Sequence, residues 1–487
     1  MTEIADFGSI VLVVAGGVLL AVLVGKVGER FPLPTPALLL LAAAAASDLF
    51  PTLDAYLSTQ AVERLSVVAL IVILLDGGMH VGVRRFRVAA LPISILGLVG
   101  TVATAAIMAV LGHLVLDLSW TTAWILGAAL APTDPAVMFS VLGNREVRGR
   151  SGTILEGESG VNDPIGIALV IGIVEYATHE GSTAWTIVGE VGVELGVGLA
   201  VGLIGGFALI PLMQRVTLPR EGFYPLMVLA SAGVIYGLAS VLHGSGFLAV
   251  FLVGLLIGDV RAPYKVEIER FHTSLASLGE IAVFVALGLT IDLTDLFNGD
   301  SLVDGLILAA LVTLVARPVV VLTLLAPARL RLPEQLFIAW GGLKGAVPIL
   351  LAAFAVLAGA DEAGRIYEIV FVVVAVSVLV QGSSIAFVAR RLHVPMRSVE
   401  HGPWELSVRL KREPAGVAQY IVGSGARAVG SSIRDLPLGD GVWITLVVRD
   451  GEARQPRGSH VLRAGDELYV LGRTERAGPL RRLFEGR

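Results

Sequence analysis

The sequence predicts an all-α polytopic membrane protein of thirteen transmembrane helices, with inverted repeats and two broken crossing helices, followed by a small cytoplasmic α+β domain. Three observations carry this. Of 487 residues, 55% are hydrophobic and 16% charged, against about 25% charged in soluble domains, and the mean hydropathy is +0.81. Apolar windows long enough to cross a bilayer recur through the first four-fifths of the chain. After Arg390-Arg391 the composition turns abruptly polar.

The windows fall at 9–27, 34–48, 63–79, 91–116, 120–142, 152–177, 185–213, 222–242, 246–258, 272–291, 302–325, 333–357 and 366–389. The start, Met1-Thr2-Glu3-Ile4-Ala5-Asp6, is acidic, and no small-residue cleavage site precedes Lys26, so the first window is expected to be a retained span rather than a signal peptide. Lys and Arg concentrate in cytoplasmic loops. Alternate loops carry fifteen of them: Lys26 and Arg30; Arg84, Arg85 and Arg87; Arg145, Arg148 and Arg150; Arg215 and Arg220; Arg261, Lys265 and Arg270; Arg329 and Arg331. The opposite loops offer Arg64 and Arg365 amid acids such as Asp54, Asp117, Glu180, Asp292 and Asp361. One span more or fewer would scramble this alternation. It places the N-terminus outside and the C-terminus in the cytoplasm, as in a bacterial inner-membrane protein.

The membrane part is expected over 1–395 and the soluble part over 403–487, which holds 24 charges in 85 residues. Short alternating runs at Leu406–Leu410, Gln419–Val422, Val442–Val448 and Glu467–Leu471, separated by Gly and Pro, predict strands, and 473–485 predicts a helix. The chain has no cysteine, which excludes disulfides, thiol chemistry and zinc-thiolate sites. A net charge of −5 gives no basic field for a nucleic-acid partner.

An ionisable side chain at bilayer depth costs roughly 2.5–3.5 kcal/mol even on insertion scales, so each one needs a reason. The candidates are Asp76, Asp134, Glu156, Glu158, Asp163, Glu280, Arg317 and Lys344; the surplus of carboxylates suits a cation path. In Glu158-Ser159-Gly160-Val161-Asn162-Asp163-Pro164, i,i+4 spacing puts Glu158 with Asn162 and Ser159 with Asp163 on shared helix faces. Hydroxyl, amide and carboxylate thus converge as ligands for a small monovalent cation. In the fifth span, Pro132 and Pro135 bracket Thr133-Asp134; in the twelfth, Gly342-Leu343-Lys344-Gly345 interrupts the apolar run. If spans 4–6 and 11–13 are inverted repeats, these are corresponding broken spans, whose free carbonyls and half-helix ends build ion sites. Asp134 and Glu158 are the expected structural partners of Arg317 and Lys344, Asp76 is a candidate vestibule acid, and Glu280 carries no assignment. His113, His243, His272 and His393 fall near span ends as interface residues.

On these residues the membrane part resembles the NhaP-type branch of the cation:proton antiporter superfamily. Asn162-Asp163 matches its Asn-Asp motif, Thr133-Asp134-Pro135 its unwound helix, Asp76 and Arg317 its usual acid and arginine, and Gly342-Leu343-Lys344-Gly345 its Gly-Leu-Arg-Gly pattern with lysine substituted. Lysine keeps the charge without bidentate geometry. The tail, with Ser431-Ser432-Ile433-Arg434-Asp435-Leu436 and Leu462-Arg463-Ala464-Gly465-Asp466-Glu467-Leu468, is similar to RCK_C (TrkA-C) modules. Together they resemble CvrA-type potassium/proton antiporters. The resemblance implies a homodimer in lipid, spans 4–6 and 11–13 as a moving core, no resident cofactor, and room for a regulatory nucleotide or other small-molecule effector on 403–487.

The expected mechanism is secondary antiport, not enzymatic turnover. Asp163 binds either a proton or K⁺, with Na⁺ as the alternative ion, while Asn162, Ser159, Thr133 and Asp76 contribute to cation binding. Neutral Asn162 in place of a second carboxylate predicts electroneutral exchange. A ligand-gated cation channel or uptake system is the rival reading, but no Thr-Val-Gly-Tyr-Gly filter is present. An ATP-driven pump lacks its GxxxxGK[ST] loop, and the acid surplus opposes an organic-anion symporter.

Overall fold

The structure is a computed structural model describing residues 16–19, 23, 34–49, 58–134, 138, 142, 145–147, 149–178, 184–398, 417–439, 441–449, 452–471 and 477–485. It divides into two units, Met1–Trp404 and Glu405–Arg487.

In the first unit the helices are α1 (Thr35–Leu49), α2 (Thr59–Ser94), α3 (Thr101–Leu116), α4 (Trp120–Ala129), α5 (Arg150–Thr178), α6 (Ala184–Arg215), α7 (Phe223–Val241), α8 (Gly246–Gly258) and α9 (Lys265–Leu289). They continue as α10 (Ser301–Leu324), α11 (Leu332–Gly341), α12 (Ala346–Leu357) and α13 (Ala363–Arg391). Among the described residues seven helical stretches are long and apolar enough to cross a membrane, or eight if α11 and α12 form one bent span. The shorter apolar helices α1, α4 and α8 fall in expected spans. The window 9–27 lies almost wholly outside the described residues, as do Pro135 and most of the fifth span beyond it. The described helices therefore establish a polytopic helical membrane protein without fixing a count of thirteen.

Two local differences from the sequence reading have simple causes. The third and fourth windows are not separated by an open loop: helix runs from Thr59 to Leu116, and the chain turns at Gly82 and Ala89 within it. Gly82 adopts φ 62° and ψ 158°, the left-handed side that a Cβ disfavours, and the Asp259 side chain accepts from the Arg84 N–H at 2.7 Å just beyond. The loop before α5 is also partly a strand. Arg145–Val147 (β1) pairs antiparallel with Met396–Ser398 (β2), matching Glu146 with Arg397.

α2 packs against α5, α8 and α9, while α5 also packs against α4 and α12. One large apolar core centred on α4, α5, α12 and α13 therefore surrounds both interrupted stretches. α6 and α7 instead turn much of their apolar surface outward, with Val188, Ile204, Phe207, Val234 and Val241 exposed, as lipid-facing helices do.

The second unit is an antiparallel four-stranded sheet in the order β3-β6-β4-β5, where β3 is Val417–Ile421, β4 Trp443–Arg449, β5 Glu452–Arg454 and β6 Glu467–Leu471. Helix α14 (Ala477–Phe484) seats Phe484 and Leu480 in its core with Leu468, Val470 and Val447. The expected strand Leu406–Leu410 lies outside the described residues, and β5 was absent from the sequence reading. Asp466 is buried, and its carboxylate accepts from Arg449 Nε at 2.6 Å, Arg449 Nη2 at 2.7 Å and the Arg463 N–H at 2.8 Å. Burial pushes that carboxyl up, but these donors prevail and hold it below the usual carboxylate range.

Candidate functional site

The site forms where the two interrupted stretches meet. Ser119 caps the start of α4, its Oγ accepting from the Thr122 N–H at 3.1 Å. After Leu130 the helix stops, because Pro132 has no N–H to give. The Ala131 and Pro132 carbonyls both accept from Lys344 Nζ at 3.0 Å. Lys344 comes from the other interruption, between α11 and α12, whose axes differ by 45°. The Asp134 N–H donates to the Leu343 carbonyl at 2.8 Å, so the unwound segments meet backbone to backbone.

This crossing explains two glycines. A Cβ on Gly345 would overlap the Asp134 side chain, and one on Gly342 would overlap the Arg317 guanidinium. α13 holds the second break: the Lys344 N–H donates to Ser377 Oγ at 2.9 Å, Ser377 donates to Gln381 Oε1 at 2.6 Å, and Gln381 Nε2 donates to the Trp340 carbonyl at 3.0 Å. Ser377 and Gln381 are absent from the sequence reading. An i,i+4 polar pair following the apolar run Ile369–Val376 in the thirteenth window was the available signal.

α5 passes beside the crossing as an uninterrupted helix that includes Pro164. Glu158 and Arg317, 1% and 3% exposed, form a two-pronged ion pair: Arg317 Nη2 donates to Glu158 Oε2 at 2.8 Å and Nη1 donates to Oε1. One turn further, Asn162 Nδ2 donates to Thr133 Oγ1 at 2.8 Å, tying α5 to the first break. Asp163 is buried, with Asp134 and Lys344 as charged neighbours. Asn162 Oδ1 and Asp163 Oδ1 are both buried without a hydrogen-bond partner among the described residues. Ser159 lies one turn before Asp163 on the same face and is buried too. Two acceptor oxygens thus stand unsatisfied beside unwound backbone, an arrangement that a small cation or a proton would complete.

The structure brings Thr133, Asp134, Glu158, Asn162, Asp163, Arg317 and Lys344 around one crossing, with Pro132, Gly342 and Gly345 shaping it. Asp76 is elsewhere along α2, where it accepts from Thr273 Oγ1 at 2.9 Å and lies 3.3 Å from His80 Nδ1.

Comparison with known proteins fits this geometry. The family described as sodium/hydrogen exchanger, transmembrane, matches residues 17–391. The chain belongs to the sodium/hydrogen exchanger family. Residues 417–485 match the TrkA-C domain. The K(+)/H(+) antiporter NhaP of Alkalimonas amylolytica is 35% identical over 408 residues, covering 83% of this chain and 71% of that protein. The K(+)/H(+) antiporter NhaP2 of Shewanella sp. (strain ANA-3) is 34% identical over 484 residues, covering 96% and 82%. The Na(+)/H(+) antiporter NhaH of Halobacillus dabanensis is 28% identical over 354 residues, covering 70% and 86%. Among solved structures, the sodium proton antiporter MjNhaP1 of Methanocaldococcus jannaschii superposes with a TM-score of 0.67 at 24% identity, covering 79% of this chain and all of that one. This sodium/hydrogen exchanger family member therefore shares the helical transporter fold of MjNhaP1.

Proposed function

We propose that the protein exchanges K⁺ for H⁺ across the bacterial inner membrane by alternating access, with Asp163 as the carboxylate that both ions compete for. The observation that carries this is the pair of buried, unpartnered oxygens on Asn162 and Asp163 beside two crossing unwound segments. A carboxylate that holds a proton or a dehydrated cation, never both, couples the two fluxes without further machinery. Thr133 and Ser159 supply hydroxyls, and Asp76 serves as a vestibule acid. The Glu158–Arg317 pair and Lys344, with Asp134, fix the field around the site. Because Asn162 is neutral, the exchange is one-for-one and electrically silent.

K⁺ is favoured over Na⁺ because the relatives at 34–35% identity are named K(+)/H(+) antiporters, whereas the Na(+)/H(+) relative is 28% identical. The alternation of basic loops supports thirteen spans with the N-terminus outside and residues 403–487 in the cytoplasm. There the TrkA-C domain regulates exchange through a small-molecule effector, and the protein works as a homodimer.

Proton flux into proteoliposomes with a trapped pH dye tests this reading. Addition of K⁺ moves protons in the wild type, Na⁺ does so more weakly, and Asp163→Asn abolishes the signal. Cation flux without protons would favour a gated channel instead, and a turnover-driven membrane potential would contradict electrical silence.

A further inference from the structure

Glu280 on α9 is an intramembrane acid to which the site gives no role. Its Oε1 is buried with no hydrogen-bond partner among the described residues. A buried unsatisfied acceptor costs about 1–3 kcal/mol, and more when charged. The Asp134 carboxylate lies within electrostatic reach of Glu280, as it does of Asp163.

The helix register gives its depth. α9 and α2 run antiparallel, since Thr273 bonds Asp76 while a Cβ on Gly279 would sit 3.2 Å from the Ala69 side chain. Glu280 is therefore about 10 Å along α9 from the Thr273–Asp76 contact. α5 reaches a similar level. Gly160 packs on Phe251 of α8, whose Gly254 packs on Leu75 of α2, and Asp163 lies about 4.5 Å beyond Gly160, towards the level of Ala69. Glu280 and Asp163 thus share a depth. On α2 near that level Ser66 is 2% exposed, and its hydroxyl also has no hydrogen-bond partner among the described residues.

Thr273, Ser277 and Glu280 follow i, i+4, i+7 spacing and share one face of α9. Exposure falls along this row: Thr273 and Ser277 are exposed, Glu280 half-buried, and Asp163 buried. A row of oxygens thus runs from the Asp76–Thr273 contact along α9 to Glu280. Asp134 has carboxylate neighbours in both Asp163 and Glu280, with Lys344 beside Asp163, and a monovalent cation held among these carboxylates offsets like charge.

We propose that Glu280 is a staging site for the transported cation, holding it at the inner end of the row lined by Asp76, Thr273 and Ser277 before it passes to Asp163. The inference rests on the antiport reading above. It assigns Glu280 to cation entry, whereas Asp163 alone carries the exchange.

The test measures K⁺-dependent proton flux against K⁺ concentration for wild type, Glu280→Gln, Glu280→Asp and Ser277→Lys, with Asp163→Asn as a separate arm. Glu280→Gln is expected to raise half-saturating K⁺ about tenfold or more while leaving the maximal rate within about threefold, the scale of one lost charged contact. Glu280→Asp restores half-saturation to within about threefold. Ser277→Lys, with its thermal stability measured alongside, raises it as well by placing a fixed ammonium in the row. Unchanged half-saturation in Glu280→Gln and Ser277→Lys overturns the proposal. So does a parallel loss of maximal rate and thermal stability in both Glu280 variants, which marks a packing role. Exchange that survives in Asp163→Asn instead overturns Asp163 as the shared carboxylate on which the antiport reading rests, and the two failures are separable.

Discussion

Replacing Arg317 with alanine leaves the Glu158 carboxylate, 1% exposed, without either of its guanidinium hydrogen bonds. Charged hydrogen bonds contribute about 1.5–3 kcal/mol each, and removing one partner of a buried ion pair costs about 3–5 kcal/mol. Lys344 lies close enough to interact with Glu158, which keeps the expected loss near the lower figure, about 3 kcal/mol. Removing both charges together, as Glu158→Gln with Arg317→Met, deletes the desolvation penalty along with the attraction. The double variant is therefore expected to be more stable than Arg317→Ala, with a coupling of about 2 kcal/mol in the corresponding cycle. Detergent-solubilised protein unfolded by increasing dodecyl sulfate, followed through its six tryptophans, reads these differences directly. If Arg317→Ala unfolds within 0.5 kcal/mol of wild type, or if the double variant loses the sum of the two single losses, Glu158 is not the buried charge that Arg317 neutralises.

Other outcomes follow from the same geometry. Gly345→Ala drives a methyl into Asp134 and should abolish exchange although alanine is apolar and small; wild-type exchange rates in this variant would contradict the tight crossing. Lys344→Met strips the donor from the Ala131 and Pro132 carbonyls and is expected to cost about 1–3 kcal/mol per carbonyl, read in the same unfolding assay. In the tail, the depressed folded pKa of Asp466 contributes stability that is present above the ordinary value of about 3.9 and is lost as pH falls through the folded value. Arg449→Met removes that contribution at neutral pH. Amides of β3, β4 and β6 in the full-length protein should then exchange with deuterium at least tenfold faster, and unaltered exchange at pH 7 would show that the pair is dispensable.

The main elements were legible because membranes penalise exceptions. Charges in apolar windows singled out Glu158, Asp163, Arg317 and Lys344, and the Pro and Gly interruptions marked where helices stop. The sixth apolar window placed Glu158, Ser159, Asn162 and Asp163 on one helix, and i,i+4 spacing grouped them by face. What could not be read was partner choice across space. The capping of α4 by Lys344 depends on two carbonyls that become available only once the helix ends at Leu130. Likewise, the Thr273–Asp76 contact and the β1–β2 pair join residues 197 and about 250 positions apart. The run through Gly82 was hidden for a different reason. Arg84, Arg85 and Arg87 mark a turn by charge, which is as compatible with a bent helix as with an open loop.

The central claim is that one carboxylate takes either a proton or a cation. Its most direct measurement is proton release from purified, detergent-solubilised protein in weak buffer on stepwise addition of K⁺. The wild type is expected to release up to one proton per cation bound, and Asp163→Asn to release none. Saturable K⁺ binding with no proton released by the wild type, or unchanged release from Asp163→Asn, would contradict it.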